Sequence, residues 1–279
     1  MLSRHLLLQL VAAVAVIFTF AGCGARPDAL HAVTSATATT LSQALESDLT
    51  LHGAELSGVV WPTVIGRGAF DFDTGIGYER LDLPAASHQA AGREFLDFLP
   101  TRFDFERTSS AGTIEYNGKP WVSAALTGRG SVDALLPRFV LQVEALGPQL
   151  LLDEIAWGAQ AATHLGEPVV NHVPLSEYRV SVNLTKASAT ATGALHTAIE
   201  DERAANGSAT VPVTVWVDGS GHIVELQAAI PGSGLGTASM QLSNFGAKIP
   251  TSLPASSMLL DVTAQTPSGA DLLRSVWIF

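Results

Sequence analysis

Hydrophobic and polar positions change their period several times along this chain, and each change predicts an element. An apolar run from Leu6 to Phe20 follows Arg4 and His5 and ends in small residues. Ser35 to Asp48 carries Leu41, Ala44 and Leu45 at helical spacing behind Thr34 or Ser35 as caps, which predicts a first helix. From about residue 54 the period becomes two. Phe70 and Phe72 alternate with Asp71 and Asp73 before a turn at Gly75 and Gly77, and Phe103 and Phe105 alternate with Asp104 and Glu106. Asn117-Gly118 sits between Ile114 and Trp121, a hairpin signal because both residues accept positive backbone angles.

In the centre, Leu151, Ile155, Ala159, Ala162 and Leu165 fall on one helical stripe, opened near Pro148 and stopped by Gly166 and Pro168. The many alanines and glycines on this stripe predict a sheet packed closely against it. The second half returns to period two: Tyr178, Val180, Val182 and Leu184, then a helix over 191–205, then Val211, Val213, Val215 and Val217. Asp218-Gly219-Ser220-Gly221 turns the chain into Val224, Leu226, Ala228 and Ile230, and residues 238–245 and 257–264 supply two more strands. No internal repeat is evident. Strands in both halves with helices between them predict a single continuous antiparallel sheet with helices on one face. The layout is a leader over 1–22, a tether over 23–33, one domain over 34–265 and an apolar-ended tail over 266–279.

Composition narrows the setting. The formal net charge is −11 and charged residues make up only 15% of the chain. An acidic surface argues against nucleic acid or anionic headgroups as the main partner. The leader has the order of an export signal and is too short to span a bilayer comfortably. Cys23, the only cysteine, follows directly after Ala21-Gly22. One cysteine cannot form an internal disulfide in an exported protein, so its place at the cleavage point is its use. The segment resembles the lipobox of bacterial lipoproteins, with Phe20 where leucine is usual. That resemblance implies removal of 1–22, acylation of Cys23 (palmitate on sulfur) and anchoring at the outer face of the cell membrane. Two or more acyl chains, at about 0.8 kcal/mol per buried methylene, suffice for stable attachment.

Signals for catalysis fail on inspection. Gly128-Arg129-Gly130-Ser131 and Gly232-Ser233-Gly234-Leu235-Gly236 do not form a Gly-x-Ser-x-Gly elbow, and no βαβ unit surrounds the second as a phosphate loop would require. The eight histidines are scattered without metal-ligand spacing. Asp218-Gly219-Ser220-Gly221 lacks the acidic ligands of a calcium loop. Asp153/Glu154 and Asp201/Glu202 fall on helices and are read as solvated groups complementing helix dipoles. The expectation is a protein that is not an enzyme and uses no cofactor or metal.

The sequence of an acylated terminus, a first helix, a strand meander, a central helix, Tyr178-Arg179-Val180-Ser181-Val182 and Val213-Thr214-Val215-Trp216-Val217-Asp218 with its Gly-Ser-Gly turn resembles actinobacterial lipoproteins of the LppX/LprG type. More broadly it is similar to the LolA/LolB superfamily of lipid and lipoprotein carriers. The resemblance implies an α+β fold, a strongly curved antiparallel sheet (an incomplete barrel) with helices packed on its concave face around an apolar cavity. It implies a carrier that binds or shuttles a lipid or other amphiphile. On the alternation alone, candidate lining residues are Trp61, Phe70, Phe72, Phe103, Phe105, Trp121, Leu151, Ile155, Val215, Leu226 and Phe245. The competing expectation is a structural or regulatory module with a filled core that binds another envelope protein.

Overall fold

The structure is a computed structural model that describes residues 28–56, 59–85, 91–126, 137–234, 236–249 and 253–262. The leader, Cys23, the start of the tether and the tail from 266 lie outside the described residues. Helix α1 runs over Ala29–Leu41, with the Asp28 carboxylate accepting from the Leu30 N–H at its start. It therefore begins inside the expected tether and stops short of Asp48. From Leu45 the buried positions alternate through Leu49 and Leu51, so the backbone is already β1 (Leu45–Leu56). A strand phase that buries three leucines overrides weak helical spacing.

The meander continues through β2 (Val59–Asp71), β3 (Ile76–Leu83), β4 (Gly92–Leu99), β5 (Arg102–Ser109) and the two-residue β6 (Gly112–Thr113). The Asn117-Gly118 turn forms, with φ of 52° and 72° and Tyr116 paired to Lys119. Its downstream arm, β7 (Trp121–Ala125), pairs with β5.

Two helices follow, α2 (Pro137–Glu144) and α3 (Gln149–Gly158). The expected central helix ends at Gly158, and Ala159–Gly166 is strand β8 on the edge of the sheet. A Cβ at Gly158 would stand 2.7 Å from the Asn183 carbonyl oxygen and 2.9 Å from Val182 Cγ1. That close approach ends α3 against the sheet, and the alanines, good helix formers in isolation, pair with the next strand instead. After the short β9 (Val169–Val170) and β10 (Val173–Pro174) come β11 (Ser176–Asn183), α4 (Leu184–Thr190) and α5 (Gly193–Asn206). Strands β12 (Thr210–Val217), β13 (Ile223–Ala229) and β14 (Thr237–Ser243) form the predicted hairpins, and β15 (Leu259–Asp261) closes the described chain.

These strands form one 13-stranded sheet in the order β15-β7-β5-β4-β3-β2-β1-β14-β13-β12-β11-β8, with β6 paired to β5. The sheet is curved and not closed into a barrel, and helices cover one face, an α+β arrangement. The expectation of a wholly antiparallel sheet needs one correction: β15 pairs parallel to β7. Helices α1, α3 and α4 pack against β8 and β11–β13, and α2 packs on α5.

Candidate functional site

The inner face of the sheet is read most directly from its cross-strand register. Over the second half, Leu49 of β1 stands opposite Met240, Met240 opposite Leu226, and Leu226 opposite Val215. All four are fully buried, and Leu150, Leu151 and Ile155 of α3 are buried with them in the core. This half is closed by aliphatic packing.

Over the first half the rows differ. Nearest the rim run Leu45, Phe70, Gly77, Phe98, Phe103 and Ala124. A Cβ at Gly77 would lie 2.3 Å from Phe70 Cδ1, so the glycine is the seat of the ring. The aromatics form a chain, Phe70–Phe98 at 5.3 Å, Phe98–Phe103 at 5.7 Å and Phe103–Phe139 of α2 at 6.1 Å between centroids. A cavity of about 320 Å³ opens here, lined by Phe70, Phe72, Phe98, Leu126, Glu144 and the first turn of α5. That is within the size range of small-molecule sites.

The next row is Ser47, Gly68, Glu79, Leu96, Phe105 and Val122, and the one after it Leu49, Gly66, Leu81, Glu94 and Arg107. Glu79 is 1% exposed and Glu94 is fully buried. Burial pushes Glu79 well above the usual carboxylate range, with the Ser47 hydroxyl, which donates to its Oε2 at 3.3 Å, acting in the opposite sense. Burial pushes Glu94 up to about 8, opposed by Arg107 across the β4–β5 register. Neither Oε1 of Glu79 nor either carboxyl oxygen of Glu94 has a hydrogen-bond partner among the described residues.

A second set of buried acids lies among the helices, contrary to the expectation of solvated groups. Glu154 of α3 and Glu202 of α5 are both almost fully buried. Burial raises Glu154 well above its ordinary value and the nearby Glu202 raises it further; burial lifts Glu202 to about 7. Two buried carboxyls near each other do not both ionise readily, so the pair favours the protonated form. Burial also raises Asp153 to about 6 and Glu144 to about 7. Helical position predicted dipole-complementing groups, but helices α2, α3 and α5 stack on one another and enclose them.

Of the candidate lining residues, Phe103, Phe105, Leu151, Ile155, Val215 and Leu226 lie in the buried core and Phe70 reaches the rim cavity. Phe72 is half-buried at the same rim. Trp121 faces the other way. It belongs to a groove of about 280 Å³ on the opposite face with Tyr78, Phe95, Ile249 and Leu253, because Val122 takes the inward phase of β7. Phe245 stacks on His222 at 4.3 Å in the turn beyond β14. The side chain of Trp61 lies outside the described residues. The sequence reading missed Glu79 and Glu94 although the signal was present: Gly77, Glu79, Leu81 and Leu83 share one strand phase, as do Glu94, Leu96 and Phe98. Among the described residues no group of acids, histidines or cysteines could hold a metal ion.

No family model and no curated protein matches the sequence. Among solved structures, LprF from Mycobacterium bovis is similar over 81% of this chain and 96% of its own, at 11% identity and a TM-score of 0.45. LppX from Mycobacterium tuberculosis is similar over 79% of this chain and 96% of its own, at 12% identity and a TM-score of 0.44. A LolA superfamily protein from Nitrosomonas europaea covers 81% of this chain and 95% of its own, at 8% identity and a TM-score of 0.26.

Proposed function

We propose that this chain is a membrane-anchored extracytoplasmic lipoprotein that binds and shuttles a lipid or other amphiphile between its sheet and helices. The observation that carries the reading is the rim cavity of about 320 Å³, where the aromatic row meets α2 and the start of α5. Moving an acyl chain from bilayer to an apolar interior exchanges one apolar surrounding for another. The net free energy is small, so loading and release follow supply and demand rather than an energy source. Acylation of Cys23 would hold the body within a few residues of that supply.

Purified from its native host, the chain carries an amphiphile identifiable by mass spectrometry. Consistently empty preparations that also fail to bind fluorescent fatty-acid analogues would contradict the reading. Anchoring has its own test: metabolic labelling with palmitate marks the wild type and not Cys23→Ser.

A second reading, an envelope interaction module, is favoured by one feature. Leu165, Val169, Val170 and Val173 are all exposed, at 43%, 68%, 39% and 48%, and cluster at the end of edge strand β8 and on the β9–β10 hairpin. An exposed apolar patch beside an open sheet edge suits a protein partner. On this reading, Val169→Ser with Val173→Ser abolishes capture of an envelope protein by the tagged wild type, while amphiphile binding stays unchanged.

A further inference from the structure

Aliphatic packing explains the inner face of β11–β14 completely, but not that of β1–β5. There, two carboxyl side chains point inward in phase with leucines and phenylalanines. Glu79 stands opposite Leu96 and Glu94 opposite Leu81, which makes the two acids diagonal neighbours across the β3–β4 pair. Diagonal positions put Cβ atoms roughly 7–8 Å apart, a span that a single small polyol bridges. Both side chains are at least 99% buried, and three of their four carboxyl oxygens have no hydrogen-bond partner among the described residues.

The sheet makes room for one of them. A Cβ at Gly66 would come within 2.2 Å of Glu79 Oε1, and one at Gly68 within 2.2 Å of Glu79 Oε2. The carboxyl therefore lies flat over two glycines of β2, with Ser47 on its far side. A buried, partnerless polar group is costly, and an apolar residue at either position would fill the floor without that cost.

We propose that this floor recognises the hydroxyl-bearing, uncharged polar part of an amphiphile, held by the carboxyl groups of Glu79 and Glu94. The inference rests on the carrier reading and names the ligand class at that same interior. A hydroxyl both donates and accepts, so it pairs with a carboxyl in either protonation state. Burial raises both acids, Glu94 to about 8, and so favours the protonated form that both donates and accepts. A charged headgroup would have to be stripped of water to reach this floor, at a larger cost than a neutral hydroxyl, and an ammonium group would also meet Arg107 opposite Glu94. From the rim, Glu79 is one strand repeat beyond Gly77, about 7 Å inward. The rim cavity is lined as far as Phe70, Gly77 and Phe98, so on this proposal the polar part passes beyond that row and the apolar part lies along Phe70 and Phe98.

The test compares 1-monooleoylglycerol with methyl oleate, which share an acyl chain and differ in hydroxyl groups, on the purified full chain. The wild type should bind monooleoylglycerol about tenfold more tightly, the ratio that one or two net hydrogen bonds give. Glu79→Leu with Glu94→Leu should remove the preference, lowering the monooleoylglycerol-to-methyl oleate affinity ratio to about one. Glu79→Gln with Glu94→Gln, which keeps an uncharged donor and acceptor, should retain it. The wild-type preference needs no variant to fold. Equal affinity of the wild type for both probes would overturn the hydroxyl site while the carrier reading stands. Failure to bind either probe would overturn both. Displacement of bound monooleoylglycerol by equimolar free glycerol would overturn the amphiphile assignment in favour of a soluble polyol.

Discussion

The two halves of the sheet use the same alternation for different ends. Over β11–β14, inward positions are valine, leucine, isoleucine, alanine and methionine, none of them polar or glycine, with α1, α3 and α4 set on β11–β13. Over β1–β5, inward positions include three glycines, a serine and two buried acids, and helix contact comes at the rim through Phe139 on Phe103 and Gly147 against Phe70. Small and polar residues on an inner face forfeit packing, so a chain that keeps them where its other half does not is reserving that face for something else. On the proposed carrier function, stability resides in the second half and binding in the first.

The largest expected effect comes from the packed half. Ile155→Ala removes a fully buried side chain beneath α3 and should lower unfolding free energy by about 2–5 kcal/mol, while amphiphile affinity changes less than twofold. Chemical denaturation measured beside ligand titration checks both. Equal damage to stability and binding would erase the division between the halves.

Next in size is a pH effect from the helix layer. The carboxyls of Glu154 and Glu202 have folded values above their ordinary ones. Below about pH 4.5 both folded and unfolded chains hold these protons, and stability does not change. Between there and about pH 7, the folded value of Glu202, the unfolded chain releases protons that the folded chain keeps, so stability falls as pH rises. Thermal melts should be higher at pH 5 than at pH 8, and Glu202→Gln should flatten that difference by on the order of 1–2 kcal/mol. A wild type that gains stability across this window would contradict the upward shift of these buried acids.

An effect of similar size tests the floor of the open half. Gly68→Ala sets a Cβ 2.2 Å from both Glu79 Oε2 and the Tyr78 carbonyl oxygen. It should cost about 1–3 kcal/mol by overpacking, with a further loss of amphiphile binding as Glu79 is displaced. The mildest change is Val169→Ser on the exposed hairpin, expected within about 0.5 kcal/mol of wild type by the same denaturation assay. A larger loss there would mean that the hairpin is packed rather than offered to a partner.

How much was legible in the sequence follows the same division. Val180 and Val182, Val211 to Val217 and the Asp218–Gly221 turn were plain because aliphatic alternation around a glycine turn has one reading. Asn117-Gly118 was equally clear as a turn, though its downstream arm β7 joins β5. The alanines of β8 misled because alanine propensity favours a helix and only the close approach at Gly158 overrules it. Leu184, placed at the end of a strand, begins α4 instead, with the Asn183 side chain accepting from the Lys186 N–H as its cap. Around the rim cavity, Phe70 and Phe72 were among the candidates while Phe98 was not, and Trp121 lies on the opposite face because Val122 takes the inward phase of β7. Glu79 and Glu94 were missed because charge was taken to mark the wet face, although their phase with Leu81 and Leu96 placed them inside.

The most direct measurement of the division is photolabelling with a diazirine-bearing fatty acid, followed by peptide mapping of the adducts. The account predicts adducts on β2–β5 and α2, at Phe70, Phe98, Phe103 and Phe139, with Val213, Val215, Leu226 and Ile155 unlabelled. Adducts centred on β11–β13 and α3, or none after saturation with the probe, would contradict it.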